Sequence, residues 1–224
     1  MFEKIISDVI NKQIDKIFGG LTGIFKKKYN EYKYKIQTGK AFEEYIKLSF
    51  EKYKYTKTIL YKHEPVLIEE FYVNLDLELN NKVIDTRSVK NLVEVSNDLI
   101  ITGVAGSGKS TLMKYLFLNS IENKAGIPIF IEIRNIKKDI FNDLFEILKE
   151  YNFPQDIDLF EKILKSGKFI VFLDGIDEVS PDIRNKISSE IIYMRDSFSN
   201  NVYIVTSRPN EKYVSWVNFT ELKI

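Results

Sequence analysis

The 224-residue chain contains no cysteine, so disulfide bonds, thiolate metal sites and cysteine nucleophiles are all excluded. It has a single histidine, His63, and a zinc site or a Ser-His-Asp triad would have to be built on that one residue. Long apolar runs are also missing: the longest, such as residues 169–173, fall far short of the roughly 18 residues that cross a membrane. We therefore expect a protein of the cytoplasm, a reducing compartment, with no membrane span.

The composition supports a folded chain that is divided by charge. Hydrophobic residues make up 44% and charged residues 29%, which is enough for a substantial core and a polar surface. Residues 1–64 hold 14 lysines against 8 acidic residues, a net charge of +6, whereas the remainder holds 19 basic and 24 acidic residues, a net charge of −5. This asymmetry predicts two modules, which we place at residues 1–60 and 61–224.

The first 60 residues are patterned for helices. Apolar side chains at helical spacing predict three of them, over residues 2–18, over 25–36 with an end near Gly39, and over 42–53. Lysines alternate with aromatic residues, as in Lys33-Tyr34-Lys35, a mixture that also occurs on nucleic-acid and anionic-membrane surfaces. The helical spacing of the aromatic residues favours a small helical module with lysines in solvent, so the signal for nucleic acid is weak.

The rest of the chain alternates strands with helices. An alternating segment at residues 71–79 predicts a half-buried strand, and a short helix is expected near 89–95. Further apolar runs predict strands at 98–103, 127–133, 169–174, 202–206 and 219–224, separated by helical patterns at 109–122, 138–150 and 157–166 and by a helix from Ser180. Such alternation indicates an α/β fold with a mainly parallel sheet.

A glycine-rich segment directly follows the strand at 98–103 and opens the helix at 109–122. Its residues fit the pattern G-x-x-x-x-G-K-[ST] at every fixed position: Gly103, Val104, Ala105, Gly106, Ser107, Gly108, Lys109 and Ser110. Glycines let consecutive amide groups face one concavity, which together with the helix N-terminus binds phosphate oxygens. Lys109 is expected near the β- and γ-phosphate oxygens, the Ser110 hydroxyl on Mg²⁺, and Thr111 near the α-phosphate.

Acidic residues follow the buried strand at 169–174. Asp174 stands at its carboxyl end, where open α/β sheets bind ligands, and a carboxylate there is suited to hold Mg²⁺. Glu178 is a candidate base or orienting group for an attacking water, and Asp177 is a second acid on the metal side. A solvated acidic loop is the simpler interpretation, but the spacing from the phosphate-binding segment favours the catalytic one.

A third candidate segment ends the strand at 202–206. The apolar run is followed by Thr206, Ser207, Arg208 and Pro209. If this strand lies between the other two, these side chains point toward the γ-phosphate, and Arg208 is placed to detect its presence or loss. The alternative is an ordinary surface arginine before a proline turn.

Together the three segments resemble the NACHT family of STAND P-loop NTPases. The residues that carry the resemblance are Gly103–Thr111, Asp174-Gly175-x-Asp177-Glu178 and Thr206–Pro209. Residues 58–61 and 71–75 are similar to the segment that precedes the nucleotide domain in bacterial members, so the resemblance covers about residues 55–224. It implies a P-loop NTPase with strand order 5-1-4-3-2, counted from the strand before the phosphate-binding loop, preceded by the small helical module.

The resemblance implies a nucleotide-controlled switch that uses ATP, ADP and Mg²⁺. Family members rest with ADP, exchange it for ATP on a trigger, assemble with copies of themselves and activate an effector; bacterial members act in defence against phage. The expected partner is a second copy or a full-length relative, and slow hydrolysis would reset the switch. The chain stops 15 residues after Pro209, before the lid, winged helix and sensor that the family normally carries.

Other classes of P-loop protein fit the sequence less well. A GTPase needs N-K-x-D on a late strand, whereas residues 81–85 have one residue too many and precede the phosphate-binding segment. An ABC-type signature is missing from the sequence. A non-catalytic module that binds nucleotide, or docks on a larger NACHT protein and blocks its assembly, stays as the alternative, and the preference for ATP over GTP stays open.

Overall fold

The structure is a computed structural model that describes residues 2–20, 28–56, 65–209, 216 and 218–224, with the backbone alone for 2, 3, 20 and 28–32. His63 and residues 58–61 lie outside the described residues. Within the described residues no helix combines the length and the apolar character needed to cross a bilayer.

The N-terminal region contains two described helices, α1 (Phe2–Gly20) and α2 (Lys28–Tyr53). The predicted break near Gly39 is wrong, because α2 is continuous through that residue. A Cβ atom added at Gly39 would lie 3.9 Å from Cγ1 of Ile14 on α1, so the two helices pack closely at this point. This packing offsets the cost of about 1 kcal/mol for a glycine inside a helix.

A small two-stranded sheet follows α2, and a hairpin that belongs to the main sheet comes after it. The strands β1 (Tyr55–Thr56) and β2 (Val66–Leu67) pair antiparallel, and α3 (Ile68–Phe71) follows. The strands β3 (Leu77–Leu79) and β4 (Lys82–Ile84) form a hairpin. Its two turn residues, Asn80 and Asn81, have positive φ angles of 50° and 64°, which suits a tight hairpin turn.

The predicted strand over 71–79 is therefore correct only for its last three residues. Side chains take the backbone hydrogen bonds that a longer strand would use. The Leu75 amide donates to the Tyr72 hydroxyl at 3.3 Å, and the Leu75 carbonyl accepts from the Thr86 hydroxyl at 2.6 Å. Residues 72–76 are consequently held as an ordered loop rather than as a strand.

The remaining elements alternate as expected. They are α4 (Val89–Val95), β5 (Asp98–Thr102), α5 (Lys109–Glu122), β6 (Ile127–Glu132), a 3₁₀ turn (Ile133–Asn135), α6 (Ile140–Glu150), α7 (Ile157–Lys165), β7 (Phe169–Asp174), a second 3₁₀ turn (Ile176–Glu178), α8 (Pro181–Ser197), β8 (Val202–Ser207) and β9 (Thr220–Lys223). The Asp139 and Asp156 side chains accept hydrogen bonds from the first turns of α6 and α7, whereas Ser180, which the sequence suggests as the cap of α8, makes no such side-chain bond.

Among the described residues the main sheet has seven strands, in the order β4-β3-β9-β5-β8-β7-β6. The five strands from β9 to β6 are parallel, and counted from β5 they stand in the order 5-1-4-3-2, so the predicted α/β fold is confirmed. The β3–β4 hairpin joins antiparallel beside β9. Because β5, β7 and β8 are parallel neighbours, the segments that follow them meet at one edge of the sheet.

Helix α2 packs directly on the main sheet. The rings of Phe42 and Phe169 have centroids 5.4 Å apart, and those of Tyr53 and Phe130 are 4.5 Å apart. The buried Tyr45 hydroxyl accepts a hydrogen bond of 2.9 Å from the Phe130 amide on β6. Burial raises the pKa of Tyr45 well above its ordinary value, so the hydroxyl stays neutral. The division of the chain into domains at residue 60 stays a prediction.

Candidate nucleotide-binding site

The loop between β5 and α5 needs glycine at three positions. Gly106 and Gly108 have φ angles of 78° and 93°, in the left-handed region that other residues rarely adopt. A Cβ atom at Gly103 would lie 2.6 Å from the Ser107 hydroxyl oxygen, so no larger residue fits there without a shift. The glycine pattern in the sequence therefore follows from the backbone geometry of this loop.

The loop presents unsatisfied polar groups of the kind that bind anions. The bond from the Leu112 amide to the Gly108 carbonyl, 2.9 Å long, closes the first turn of α5, and the amides ahead of it have no acceptor within the helix. The buried Ser107 hydroxyl has no hydrogen-bond partner among the described residues. Lys109 folds back, and its Nζ donates to the carbonyls of Gly103 at 2.6 Å and Val104 at 3.0 Å. These donors fit phosphate oxygens.

A buried threonine fixes Asp174 at the end of β7. The Thr206 hydroxyl on β8 donates to Asp174 Oδ1 at 2.6 Å and accepts from the Gly175 amide at 2.8 Å. Thr206 is fully buried, so this bridge between neighbouring strands is protected from water. Asp174 Oδ2 takes no part in this bridge.

Glu178 lies in the 3₁₀ turn after β7, and Gly175 shapes its position. Gly175 has a φ of 80°, and a Cβ there would stand 3.0 Å from Glu178 Cδ. Glu178 Oε2 accepts from Arg134 Nη1 at 3.1 Å, and Arg134 Nη2 donates to Glu132 Oε2 at 2.8 Å. The side chain of Glu178 thus folds back over Gly175 and is held by an arginine from the turn after β6.

Asp177 pairs with Arg208. The Arg208 Nε lies 3.0 Å from Asp177 Oδ2, and the Arg208 amide donates to Oδ1 at 3.1 Å. Arg184 at the start of α8 donates to the backbone carbonyls of Asp177 and Val179 at 2.9 and 3.1 Å. Asp177 is mostly buried, so both of its oxygens serve to hold Arg208 at the end of β8.

These groups surround one cavity of about 320 Å³ at the carboxyl edge of the sheet. From the first segment it is lined by Ala105, Gly106, Gly108, Lys109, Ser110 and Thr111. From the other two segments it is lined by Asp174, Gly175, Asp177, Glu178, Thr206 and Arg208. The remaining predicted residues, Gly103, Val104 and Ser107, belong to the same loop but do not line the cavity.

The expected metal ligands, Ser110 and Asp174, line this same cavity. The described residues contain no group of three or more acidic or histidine side chains that could enclose a metal ion. Mg²⁺ does not require such a cage, because it is usually held by one or two protein oxygens together with phosphate oxygens and water. The donor set therefore fits Mg²⁺ bound jointly with a nucleotide.

Two features of the site were missed by reading the sequence. Thr206 was expected to point toward a phosphate, whereas its hydroxyl bridges Asp174 and Gly175. No role for Arg134 was predicted from the sequence. The available signal was that Glu132 and Arg134 follow one apolar strand run, just as Asp174 follows another. The pairing of Glu132 with Asp174 across β6 and β7 places the two acids side by side.

Comparisons with known proteins assign no family. No protein-family model matches the chain, and no curated protein matches it either. The solved structures that match include one described as the structure of C. elegans PCH-2, with 19% identity and a TM-score of 0.35 over 62% of this chain and 38% of that chain. That likeness is distant, and the P-loop fold is established by the strand order and loop geometry described above.

Proposed function

We propose that this protein is a Mg²⁺-dependent ATPase that acts as a STAND-type signalling switch. The observation that carries the proposal is the convergence of Lys109, Ser110, Asp174 and Glu178 on one cavity at the carboxyl edge of the sheet. Phosphate-binding amides, a lysine, a hydroxyl and carboxylates are the groups that phosphoryl transfer requires, and the reaction needs neither cysteine nor histidine.

The loop and Lys109 would bind the phosphate groups of ATP. Lys109 Nζ now bonds to the Gly103 and Val104 carbonyls, and it would exchange these for β- and γ-phosphate oxygens. Ser110 and Asp174 would hold Mg²⁺, and the bound ion would neutralise part of the phosphate charge. The Thr206 bridge keeps Asp174 oriented, so the metal-binding oxygen is placed before the nucleotide arrives.

Glu178 would orient the attacking water, and Arg208 would contact the γ-phosphate. The water oxygen forms a bond to the γ-phosphorus, the bond from that phosphorus to the β–γ bridging oxygen breaks, and ADP and phosphate leave. The water proton passes to Glu178 or to a phosphate oxygen. Because Asp177 binds both the backbone amide and Nε of Arg208, the guanidinium group is held at the cavity.

The signalling part of the proposal is supported by the resemblance of the three motif segments to NACHT proteins. On this basis ATP binding would favour assembly with a second copy or a full-length relative in the cytoplasm, as part of bacterial defence against phage. Residues 1–60 would then form the helical module that accompanies the nucleotide domain of residues 61–224.

The test is a pair of substitutions with matched controls. Lys109→Ala should weaken ATP binding at least about 10- to 150-fold, the range for one lost charge-assisted hydrogen bond, whereas Lys90→Ala, at an exposed lysine on α4, should not. Glu178→Gln should keep ATP affinity and abolish turnover, whereas Glu146→Gln on α6 should change neither. Affinity is measured by calorimetry and turnover by phosphate release.

The outcomes separate the two candidate functions. Equal ATP affinity in the wild type and in Lys109→Ala would overturn the nucleotide site. ATP binding that depends on Lys109, without turnover by the wild type, would favour the non-catalytic module over the ATPase.

A further inference from the structure

A chain of charged side chains leads from the cavity to the end of α2. Glu178 pairs with Arg134 at 3.1 Å, Arg134 pairs with Glu132 at 2.8 Å, and Glu132 lies 3.6 Å from Lys52 Nζ. Glu178 lines the cavity, whereas Lys52 stands in the last turn of α2. The connection therefore runs from the candidate water-orienting group to the N-terminal helices.

The ion pairs in this chain of charged side chains differ in how far they are exposed to water. The Glu132 side chain is only 17% exposed and receives both Arg134 and Lys52, while Glu178 and Arg134 are 39% and 58% exposed. Exposed pairs are screened by water and exchange partners easily. Arg134 is therefore held more firmly by Glu132 at 2.8 Å than by Glu178 at 3.1 Å, while Lys52, 63% exposed and 3.6 Å from Glu132, makes the weakest contact of the three.

Arg134 reaches Glu178 from outside the cavity, because Glu178 is among the cavity-lining residues and Arg134 is not. One carboxylate oxygen of Glu178 is thus occupied by a group away from the place where a nucleotide would lie. A group that orients water must direct an oxygen at that water within hydrogen-bonding distance. The bond to Arg134 uses Oε2 and so restricts how the carboxylate can turn to direct Oε1 at such a water.

We propose that Arg134 is a positioning residue that restrains Glu178, and that the Glu132–Lys52 pair couples this restraint to α2. The inference rests on the proposed ATPase function and adds a means of control to it. Lys52 also donates to the hydroxyl of Tyr53 at 3.1 Å, and the Tyr53 ring packs on Phe130 of β6. A displacement of the end of α2 would move Lys52 relative to Glu132 and so change the hold on Arg134.

Turnover and nucleotide affinity are the first test. Arg134→Ala should raise kcat about two- to fivefold, the scale of one exposed ion pair, and should leave the Kd for ATP within about twofold. Arg134→Lys, which keeps the charge, should return kcat toward the wild-type value. Arg87→Ala, at an exposed arginine that pairs with Asp85 elsewhere, serves as the matched control and should change neither quantity.

Hydrogen exchange supplies a test that does not depend on turnover. A non-hydrolysable ATP analogue should change the exchange of the last-turn amides of α2, residues 50–53, in the wild type. This change should be absent in Arg134→Ala and in Lys52→Ala if the coupling runs through Arg134 and Glu132. The exchange of the same amides without the analogue shows whether each variant keeps α2 folded.

Each outcome decides the inference. An unchanged or lowered kcat in Arg134→Ala, or an analogue effect on α2 that is equal in the wild type and Arg134→Ala, overturns it. A wild type that binds ATP through Lys109 while the Arg134 variants behave as wild type removes the inference and leaves the proposed function standing. A wild type that does not bind ATP removes both.

Discussion

Replacing Thr206 by valine tests how the carboxylate of Asp174 is held in place. Valine has nearly the shape of threonine but lacks the hydroxyl, so at this fully buried position the main change is the loss of the hydroxyl's hydrogen bonds. The Gly175 amide then loses its acceptor at 2.8 Å, and Asp174 loses a donor at 2.6 Å. The perturbation is therefore confined to the bridge between β7 and β8.

The expected loss of stability follows from the Gly175 amide, which would be left buried without an acceptor. A buried donor left without a partner costs about 1–3 kcal/mol, and for a chain of this size each kcal/mol lowers Tm by about 2–4 °C. We therefore expect Tm to fall by about 2–12 °C. Asp174 becomes free to rotate, and loss of such a supporting hydrogen bond typically weakens metal affinity about 10- to 100-fold.

The assay is thermal unfolding together with Mg²⁺ titration of ATP binding. Thr102→Val on β5 is the matched control, because the Thr102 hydroxyl is also buried but donates at 2.7 Å to Glu221, whose exposed carboxylate water can serve instead. Thr206→Ser should restore the Mg²⁺ dependence. If Thr206→Val and Thr102→Val have the same stability and the same Mg²⁺ affinity, the role given to the bridge is wrong.

Three other substitutions probe the geometry around the site. Gly175→Ala places a methyl group 3.0 Å from Glu178 Cδ at a φ of 80°, so calorimetry and single-turnover assays should show an unchanged ATP Kd and a much lower kcat. Tyr45→Phe removes the acceptor of a buried β6 amide, so unfolding should be easier by about 1–3 kcal/mol, and a change near zero would contradict the described contact. Burial raises the pKa of Glu132, but the hydrogen bond from Arg134 and neighbouring cations outweigh it, so the pKa lies below the ordinary 4.5. The ionised Glu132 carboxylate therefore stabilises the fold above about pH 4.5, and this stabilisation is lost as the pH falls through the lower pKa of the folded protein. Glu132→Gln should flatten this part of a plot of unfolding free energy against pH.

The strand, loop and helix at residues 98–122 follow from local sequence. An apolar run, glycines at fixed spacing and a helical pattern act over short distances, and the observed β5 and α5 match the expected bounds closely. The strand order came from the resemblance rather than from the residues themselves, and the structure confirms it. The acidic residues after β7 lie at the cavity because the parallel strands β5, β8 and β7 end at the same edge of the sheet.

Features that depend on distant contacts were not predictable in this way. Gly39 resembles a helix end, and only the nearby Ile14 of α1 shows why α2 continues. The alternation at residues 72–76 resembles a strand, but Thr86 takes up a backbone carbonyl there. Arg134 and Glu178 are 44 residues apart, and no local pattern links them.

The position of β9 has a consequence for how the protein is made. β9 lies between β3 and β5 in the sheet, yet its residues 220–223 are synthesised more than a hundred residues after β5. Until they leave the ribosome, the strand that carries the phosphate-binding loop has an open edge, and the β3–β4 hairpin has no place in the sheet. Such long-range pairing slows folding and exposes an unpaired edge to other chains. The sheet can therefore be completed only late in synthesis, when β9 pairs with both β5 and β3.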